Sequence, residues 1–347
     1  MGIIRPIKKW NLETNLWEQP TNENIGRSFC FAEYEDIIND KSTQKYHYII
    51  IAEGSRVEDH TKKPPRIKDK EVNISRVIKY LKKQKYNYKI VLFLMDADAP
   101  IIEDAKLFAE LIDKKASDSK CDSINLIGIS KCGAMGFNIP SFFKNPDSFS
   151  KTNLYTIATP FEGTKLASQK ILFKEVKDWV RGIFGKNKFS DFIADKLCSI
   201  QTNISSNSHM DFDIAIPDGV FEHQKSKYDS TFITNMFSNE NLNAVSKLRK
   251  HINFETGIDK KTIWEAIFTL NFTGVGLCMI NRIFFNKKSD GLVTIESQEA
   301  VTKYIPDIKR IKLKTAHHGV MTNKRLIKDI MNVVFQTIEE QIEIKNH

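Results

Sequence analysis

Short apolar runs that alternate with helical periodicities constrain the fold of this chain more than any other feature of its sequence. Apolar spacing at i, i+3, i+4 and i+7 predicts helices within residues 74–81, 105–112 and 326–338. Strands that alternate with helices form a mostly parallel central sheet with helices on both faces. We therefore predict an α/β fold. Runs rich in β-branched and aromatic residues predict its buried strands, which are Tyr46–Ala52, Lys89–Met95, Ser123–Ile127, Asn153–Ala158, Met279–Phe285 and Ile308–Leu313.

The alternation stops between residues 165 and 280, where helical patterns flank a polar Ser/Asn-rich stretch. Because strand patterns resume after this block, we predict one core formed by residues 1–164 and 281–347. Residues 165–280 are predicted to be an inserted, mainly helical cap. One apolar stripe in the cap has two open interpretations: packing against the core, or a lid helix that opens onto lipid. The stripe consists of Trp179, Val180, Ile183 and Phe184.

Composition narrows the function classes. The chain of 347 residues has 41% apolar residues, which is enough for a large core and excludes general disorder. Its net charge of +9 is dispersed without an aromatic and basic pattern, so we predict no nucleic-acid partner. The charge suits peripheral contact with an anionic lipid surface. Five scattered cysteines and the absence of cofactor motifs predict a cytoplasmic protein with no metal and no cofactor. Nothing in the sequence indicates the oligomeric state.

A serine lies three residues after the third predicted strand, with small residues on both sides of it. Ser130 is preceded by Gly128 and followed by Cys132 and Gly133. A nucleophile on a sharp strand-to-helix turn needs small neighbours, because the helix folds back against the strand. Such a turn holds the Ser130 hydroxyl at the carboxyl end of the sheet. The backbone N–H of Lys131 then faces a developing oxyanion.

A serine nucleophile needs a base, and the base needs an orienting acid. Asp290 and the pair His317-His318 each follow a predicted strand. The chain order Ser, Asp, His matches one of the known arrangements of a catalytic triad. Glu162, which follows the fourth strand, is an alternative acid.

These motifs resemble those of bacterial triacylglycerol lipases, within the α/β-hydrolase superfamily of lipases and esterases. INLIGISKCG resembles the strand and nucleophile turn, IATPFEGT the strand and turn that follow, SDGLVTIES the acid loop, and HHGVMTN the histidine loop. The resemblance covers the chain from about Tyr46 to the C-terminus, apart from the cap. It implies Ser130 as nucleophile, Asp290 as acid and His318 as base. His318 is preferred to His317 because the Gly-Val-Met that follows it fits the family pattern.

One motif departs from the family. The usual His-Gly after the early strand is replaced by Glu53-Gly54-Ser55, which makes the Ser55 N–H the second oxyanion donor and brings a carboxylate near it. The resemblance implies a serine hydrolase that cleaves carboxylic acyl esters of a lipid or phospholipid through an acyl-enzyme. Two alternatives stay open: an acyltransferase with the same triad, and a catalytically silent protein that uses the hydrolase fold for binding.

Overall fold

The described residues include most of the predicted core. The computed structural model describes residues 8–11, 16–18, 30–33, 38, 45–53, 76–94, 101–163, 177–178, 180–182, 185–192, 231–257, 289–290, 293–315 and 324–346. The predicted strand Met279–Phe285 lies outside these ranges. The other five predicted strands are present, with bounds that differ by a few residues.

Nine strands form one sheet in the described part of the chain. In chain order they are β1 Lys8–Asn11, β2 Leu16–Glu18, β3 Cys30–Glu33, β4 Tyr46–Glu53, β5 Asn87–Leu94, β6 Cys121–Ile129, β7 Thr152–Ile157, β8 Lys250–Gly257 and β9 Lys309–Lys314. Their order across the sheet is β2-β1-β3-β5-β4-β6-β7-β8-β9. Strands β5, β4, β6, β7, β8 and β9 pair in parallel, and β1, β2 and β3 form an antiparallel edge. The predicted mostly parallel sheet is confirmed.

Helices cover both faces of the sheet, as the sequence predicts. Ile101–Ala116 and Lys131–Asn138 bury their apolar residues in the core of one face. Residues 76–81 and the long helix Lys324–Asn346 do so on the other. The described helices include none with the length and apolar character needed to cross a membrane. Further helical segments include the α-helices Pro146–Lys151, Thr231–Met236, Asn239–Ser246 and Ile295–Glu299, and the 3-10 turns Ile139–Phe142 and Ala300–Lys303.

Part of the range predicted as cap belongs to the core. Strand β8 pairs in parallel with β7 and β9 inside the sheet, although it falls within residues 165–280. Phe232 and Met236, from the helix before it, are buried in the core of one sheet face. The cap prediction therefore needs a correction: residues 231–257 pack as core. In the predicted stripe, Val180 is buried, and the side chains of the other three residues lie outside the described part.

The sequence pattern missed β8 because its inward-facing polar residues interrupt the apolar run. Asn253 is fully buried, accepts a hydrogen bond from Thr156 Oγ1 at 3.0 Å and donates to the Gln298 carbonyl at 3.0 Å. Glu255 is 3% exposed and forms a two-point ion pair with Arg310 on β9. Buried polar groups are tolerated where they are paired in this way. Here the partners lie far along the chain, so a local pattern does not show them.

Buried amides attach the C-terminal helix to the sheet. Gln341 Nε2 donates to Asn153 Oδ1 at 2.7 Å, and Asn153 Nδ2 donates to Gln341 Oε1 at 3.2 Å. Asn153 Nδ2 also donates to Asn125 Oδ1 on the neighbouring strand at 2.9 Å. Because each amide satisfies the other, the helix has one favoured position along the strands.

Replacing Gln341 by Ala should lower the free energy of unfolding by about 1–3 kcal/mol, because it removes the side-chain donor to Oδ1 of the buried Asn153. The measurement is urea unfolding followed by circular dichroism. Glu343→Ala is the matched control, since Glu343 is exposed on the same helix. Equal effects of the two substitutions would contradict the assigned role of the amide pair.

Candidate active site

The backbone at Ser130 adopts a conformation that is rare for residues other than glycine. Ser130 lies between β6 and the helix Lys131–Asn138, with φ 57° and ψ −128°. Its N–H donates to the carbonyl of Ile157 at 2.8 Å, and its carbonyl accepts from the N–H of Gly133 at 2.8 Å. A sparsely populated backbone conformation of this kind costs about 1–3 kcal/mol. It persists here because the sheet holds one side of the turn and the helix holds the other.

Close packing explains the small residues around the turn. A Cβ on Gly128 would lie 2.6 Å from the Cys132 carbonyl oxygen, and one on Gly133 would lie 1.8 Å from Thr159 Oγ1. Neither space admits a larger side chain without movement of the turn. Cys132 is fully buried, so its thiol packs inside the fold. The strand-to-helix turn that the sequence predicts is therefore present.

The strand ends that flank Ser130 are aligned at one edge of the sheet. Ile129 pairs with Glu53 at the end of β4 and with Ile157 at the end of β7, and Ile157 pairs with Phe254 on β8. The backbone that leaves β4 thus starts beside Ser130. Ser55 and the Glu53 side chain lie outside the described residues, so the second oxyanion donor stays a prediction.

Lys131 is the first residue of the helix that follows the turn. The N–H groups of a first helical turn have no acceptor within the helix, and they carry a partial positive charge. The Lys131 side chain is buried, so its backbone N–H is the group from this residue that suits an oxyanion beside Ser130.

Asp290 is a buried carboxylate held by donors on both oxygens. It is 1% exposed. Oδ1 accepts the backbone N–H of Val293 at 2.8 Å, and Oδ2 accepts the Thr256 hydroxyl at 2.5 Å. Gln298 Nε2 also donates to Oδ2, at 3.3 Å. Because Thr256 lies near the end of β8, these bonds place Asp290 at the same edge of the sheet as Ser130.

Thr256 and Gln298 are functional candidates that the sequence did not reveal. Gln298 is fully buried, and its Oε1 accepts the Thr256 N–H at 2.7 Å while its Nε2 donates to the Thr256 carbonyl at 3.0 Å. Gln298 therefore pairs with the backbone of β8 as another strand would. No local signal marks either residue, because they are far apart in the sequence.

The alternative acid, Glu162, has a different environment. Its carboxylate forms an ion pair with Lys303, and its side chain is 44% exposed. This hydrogen bond with Glu162 raises the pKa of Lys303. The two carboxylates therefore differ: Glu162 is exposed and paired with a cation, whereas Asp290 is buried and held by uncharged donors.

The two candidate bases, His317 and His318, lie outside the described residues, so the base stays a prediction. Strand β9 ends at Lys314, and the Thr315 N–H donates to the carbonyl of Gly257 at 3.1 Å. Gly257 is the neighbour of Thr256, which binds Asp290. The described chain after β9 therefore ends beside the strand that carries this contact.

The two histidines in the described ranges suit the base role poorly. His47 and His251 lie near the amino ends of β4 and β8, the opposite edge from Ser130. His47 is buried, with Nδ1 2.8 Å from Ser123 Oγ. Desolvation lowers the pKa of His251 to about 3, so its ring stays neutral near pH 7. Within the described ranges, no group of three or more His, Cys, Asp or Glu residues is arranged to hold a metal ion.

No protein-family model matches the chain, and no curated protein sequence matches it. Among solved structures, it is similar to a lipase of Bacillus licheniformis at 11% identity and a TM-score of 0.46, over 87% of this chain and 97% of the lipase. It is similar to Est1E of Butyrivibrio proteoclasticus at 10% identity and a TM-score of 0.45, over 96% and 100% of the two chains. An esterase of Pyrococcus furiosus matches at 12% identity and a TM-score of 0.41, over 98% and 93%.

The fold is that of an α/β-hydrolase. This assignment rests on the sheet of parallel strands, the helices on both faces and the strained strand-to-helix turn that carries a serine. A fold of this kind hosts many functions, so the activity has to be argued from the residues of the site.

Replacing Gly133 by Ala should destabilise the protein by about 1–3 kcal/mol, because the new Cβ overlaps Thr159 Oγ1. The cost should fall in a Thr159→Ala background, where the nearest remaining side-chain atom is 3.0 Å away. A double-mutant cycle by urea unfolding measures the difference. Gly182→Ala is the control, since a Cβ there meets nothing within 4 Å. Additive effects at positions 133 and 159 would contradict the assigned contact.

Proposed function

We propose that this protein is a serine hydrolase that cleaves carboxylic acyl esters through an acyl-enzyme on Ser130. The observation that carries the proposal is the Ser130 turn, with φ 57° at the carboxyl edge of the parallel sheet. A buried carboxylate at the same edge, Asp290, supports it. Such a turn holds the serine hydroxyl clear of the strand at the end of the sheet, and a substrate can reach a nucleophile in that position.

In the proposed mechanism, His318 takes the proton of the Ser130 hydroxyl as Oγ attacks the ester carbonyl carbon. The backbone N–H groups of Lys131 and Ser55 stabilise the oxyanion of the tetrahedral intermediate. Asp290 orients the imidazole and stabilises the imidazolium. The imidazolium then protonates the departing alcohol, which leaves the acyl group on Ser130. Water, deprotonated by the same base, releases the acid and restores the enzyme.

The proposed substrate is a lipid or phospholipid ester, met at a membrane surface from the cytoplasm. The net charge of +9 supports contact with anionic lipid. One surface in the predicted cap fits that contact: the side chains of Phe189 and Phe192 are 60% and 58% exposed. Lys186 and Lys188 are exposed beside them. Aromatic rings flanked by lysines suit the interface between water and lipid.

A fluorophosphonate probe should label the wild type and spare Ser130→Ala, because only an activated serine attacks the phosphorus centre. The control is Ser150→Ala, which removes an exposed serine hydroxyl from the helix Pro146–Lys151 and should leave labelling unchanged. Equal labelling of wild type and Ser130→Ala would exclude Ser130 as the nucleophile. No labelling of the wild type would favour the silent binding protein.

Asp290→Asn should reduce the turnover of p-nitrophenyl butyrate by about 10³- to 10⁴-fold, because the amide cannot stabilise the imidazolium as the carboxylate does. Glu162→Gln, the matched substitution at the alternative acid, should change turnover by no more than about threefold, since Glu162 is engaged with Lys303 at the surface. The opposite result would assign the acid to Glu162. Adding alcohol acceptors in the same assay tests acyl transfer, which would divert product from acid to new ester.

A further inference from the structure

Side-chain donors hold one oxygen of Asp290 in the described part of the chain. Oδ2 accepts hydrogen bonds from Thr256 Oγ1 and Gln298 Nε2. Oδ1 accepts the backbone N–H of Val293. These bonds fix the direction of the carboxylate, because each oxygen accepts hydrogen bonds at only a few positions.

We propose that Thr256 and Gln298 are positioning residues of the reaction, which hold Oδ2 of Asp290 and thereby orient the carboxylate toward the base. This inference rests on the proposed function, since it needs Asp290 as the acid of a triad. The hydroxyl of Thr256 has a single hydrogen. Its contact with Asp290 Oδ2 at 2.5 Å is shorter than its contact with Gln298 Oε1 at 3.2 Å. We therefore assign the hydroxyl hydrogen to the hydrogen bond that Thr256 donates to Asp290.

Gln298 fixes the place of this donor. It binds both backbone groups of Thr256. The two hydrogens of Nε2 serve three acceptors, so Asp290 Oδ2 and the Val293 carbonyl, both at 3.3 Å, share one of them. Val293 supplies the donor to Oδ1. The Gln298 side chain therefore connects Val293, which binds Oδ1, with Thr256, which binds Oδ2. Gln298 is fully buried, and Thr256 is 1% exposed. Water therefore competes little for these bonds, and the orientation of the carboxylate depends on them.

The test uses two substitutions of Thr256 in the full-length chain. Thr256→Val keeps the shape and removes the donor, whereas Thr256→Ser keeps the donor. Thr256→Val should lower both kcat for p-nitrophenyl butyrate and the rate of fluorophosphonate labelling by about 10- to 100-fold, with KM within about threefold, because a misplaced acid misorients the base. Thr256→Ser should stay within about threefold of the wild type.

The matched control is Thr337→Val, which removes a buried hydroxyl from the C-terminal helix, where it donates to the Val333 carbonyl. It should leave both rates unchanged. Circular dichroism checks that each variant is folded. Wild-type rates in folded Thr256→Val, with Ser130→Ala unlabelled, would overturn the positioning role and leave the serine mechanism standing. An unlabelled wild type would overturn the proposed function and this inference together.

A second variant applies if Thr256→Val does not fold. Gln298→Glu preserves the shape, and the introduced carboxyl can replace the amide donor toward Asp290 only while it is protonated. Its activity relative to the wild type should therefore fall as the pH rises from about 6 to about 9, through like-charge repulsion against Asp290. A ratio that stays constant over this range, in a folded variant, would overturn the inference.

Discussion

The contact between the helix Lys131–Asn138 and the turn after β7 is the constraint on which the site depends. Gly133 packs so closely on Thr159 that a Cβ has no room. The turn at Ser130 is fixed to the sheet by the hydrogen bond from Ser130 N–H to the Ile157 carbonyl. Because of these two contacts, the connection between β6 and the helix consists of one residue, Ser130. Ser130 therefore has the positive φ, and the backbone strain lies at the residue that carries the proposed chemistry.

From Thr159 the constraints continue toward the acid. The turn that begins there ends at Gly163, whose carbonyl accepts the Ser297 hydroxyl at 2.8 Å, and Ser297 Oγ accepts the Glu162 N–H at 3.0 Å. Ser297 precedes Gln298, which binds β8 and Asp290. The residues near Ser130 and those near Asp290 are thus joined through hydrogen bonds at the carboxyl ends of the strands. Preorganisation of this kind lets a site act without rearrangement during the reaction.

The sequence predicted those parts of the structure that depend on local patterns. The apolar runs located β4 to β7 and β9, and the small residues around Ser130 predicted the turn, because steric demands act on adjacent residues. Strand β8 was missed because Asn253 and Glu255 are acceptable inside only through partners such as Gln298 and Arg310. Thr256 and Gln298 were missed for the same reason. Pairing across long sequence separations leaves no trace in hydropathy.

The serine and the acid are placed by different physical means. Ser130 follows β6 directly, so backbone continuity fixes it. Asp290 is separated from the end of β8 by residues 258–289. Chain connectivity alone would therefore define its position weakly, because a long connection restricts its ends little. Its position depends instead on side-chain and backbone hydrogen bonds from Thr256, Gln298 and Val293. The position of Asp290 therefore depends less on the length of this connection than on these bonds. Among them, the side-chain donors of Thr256 and Gln298 are the ones that a substitution can remove, because Val293 donates through its backbone N–H.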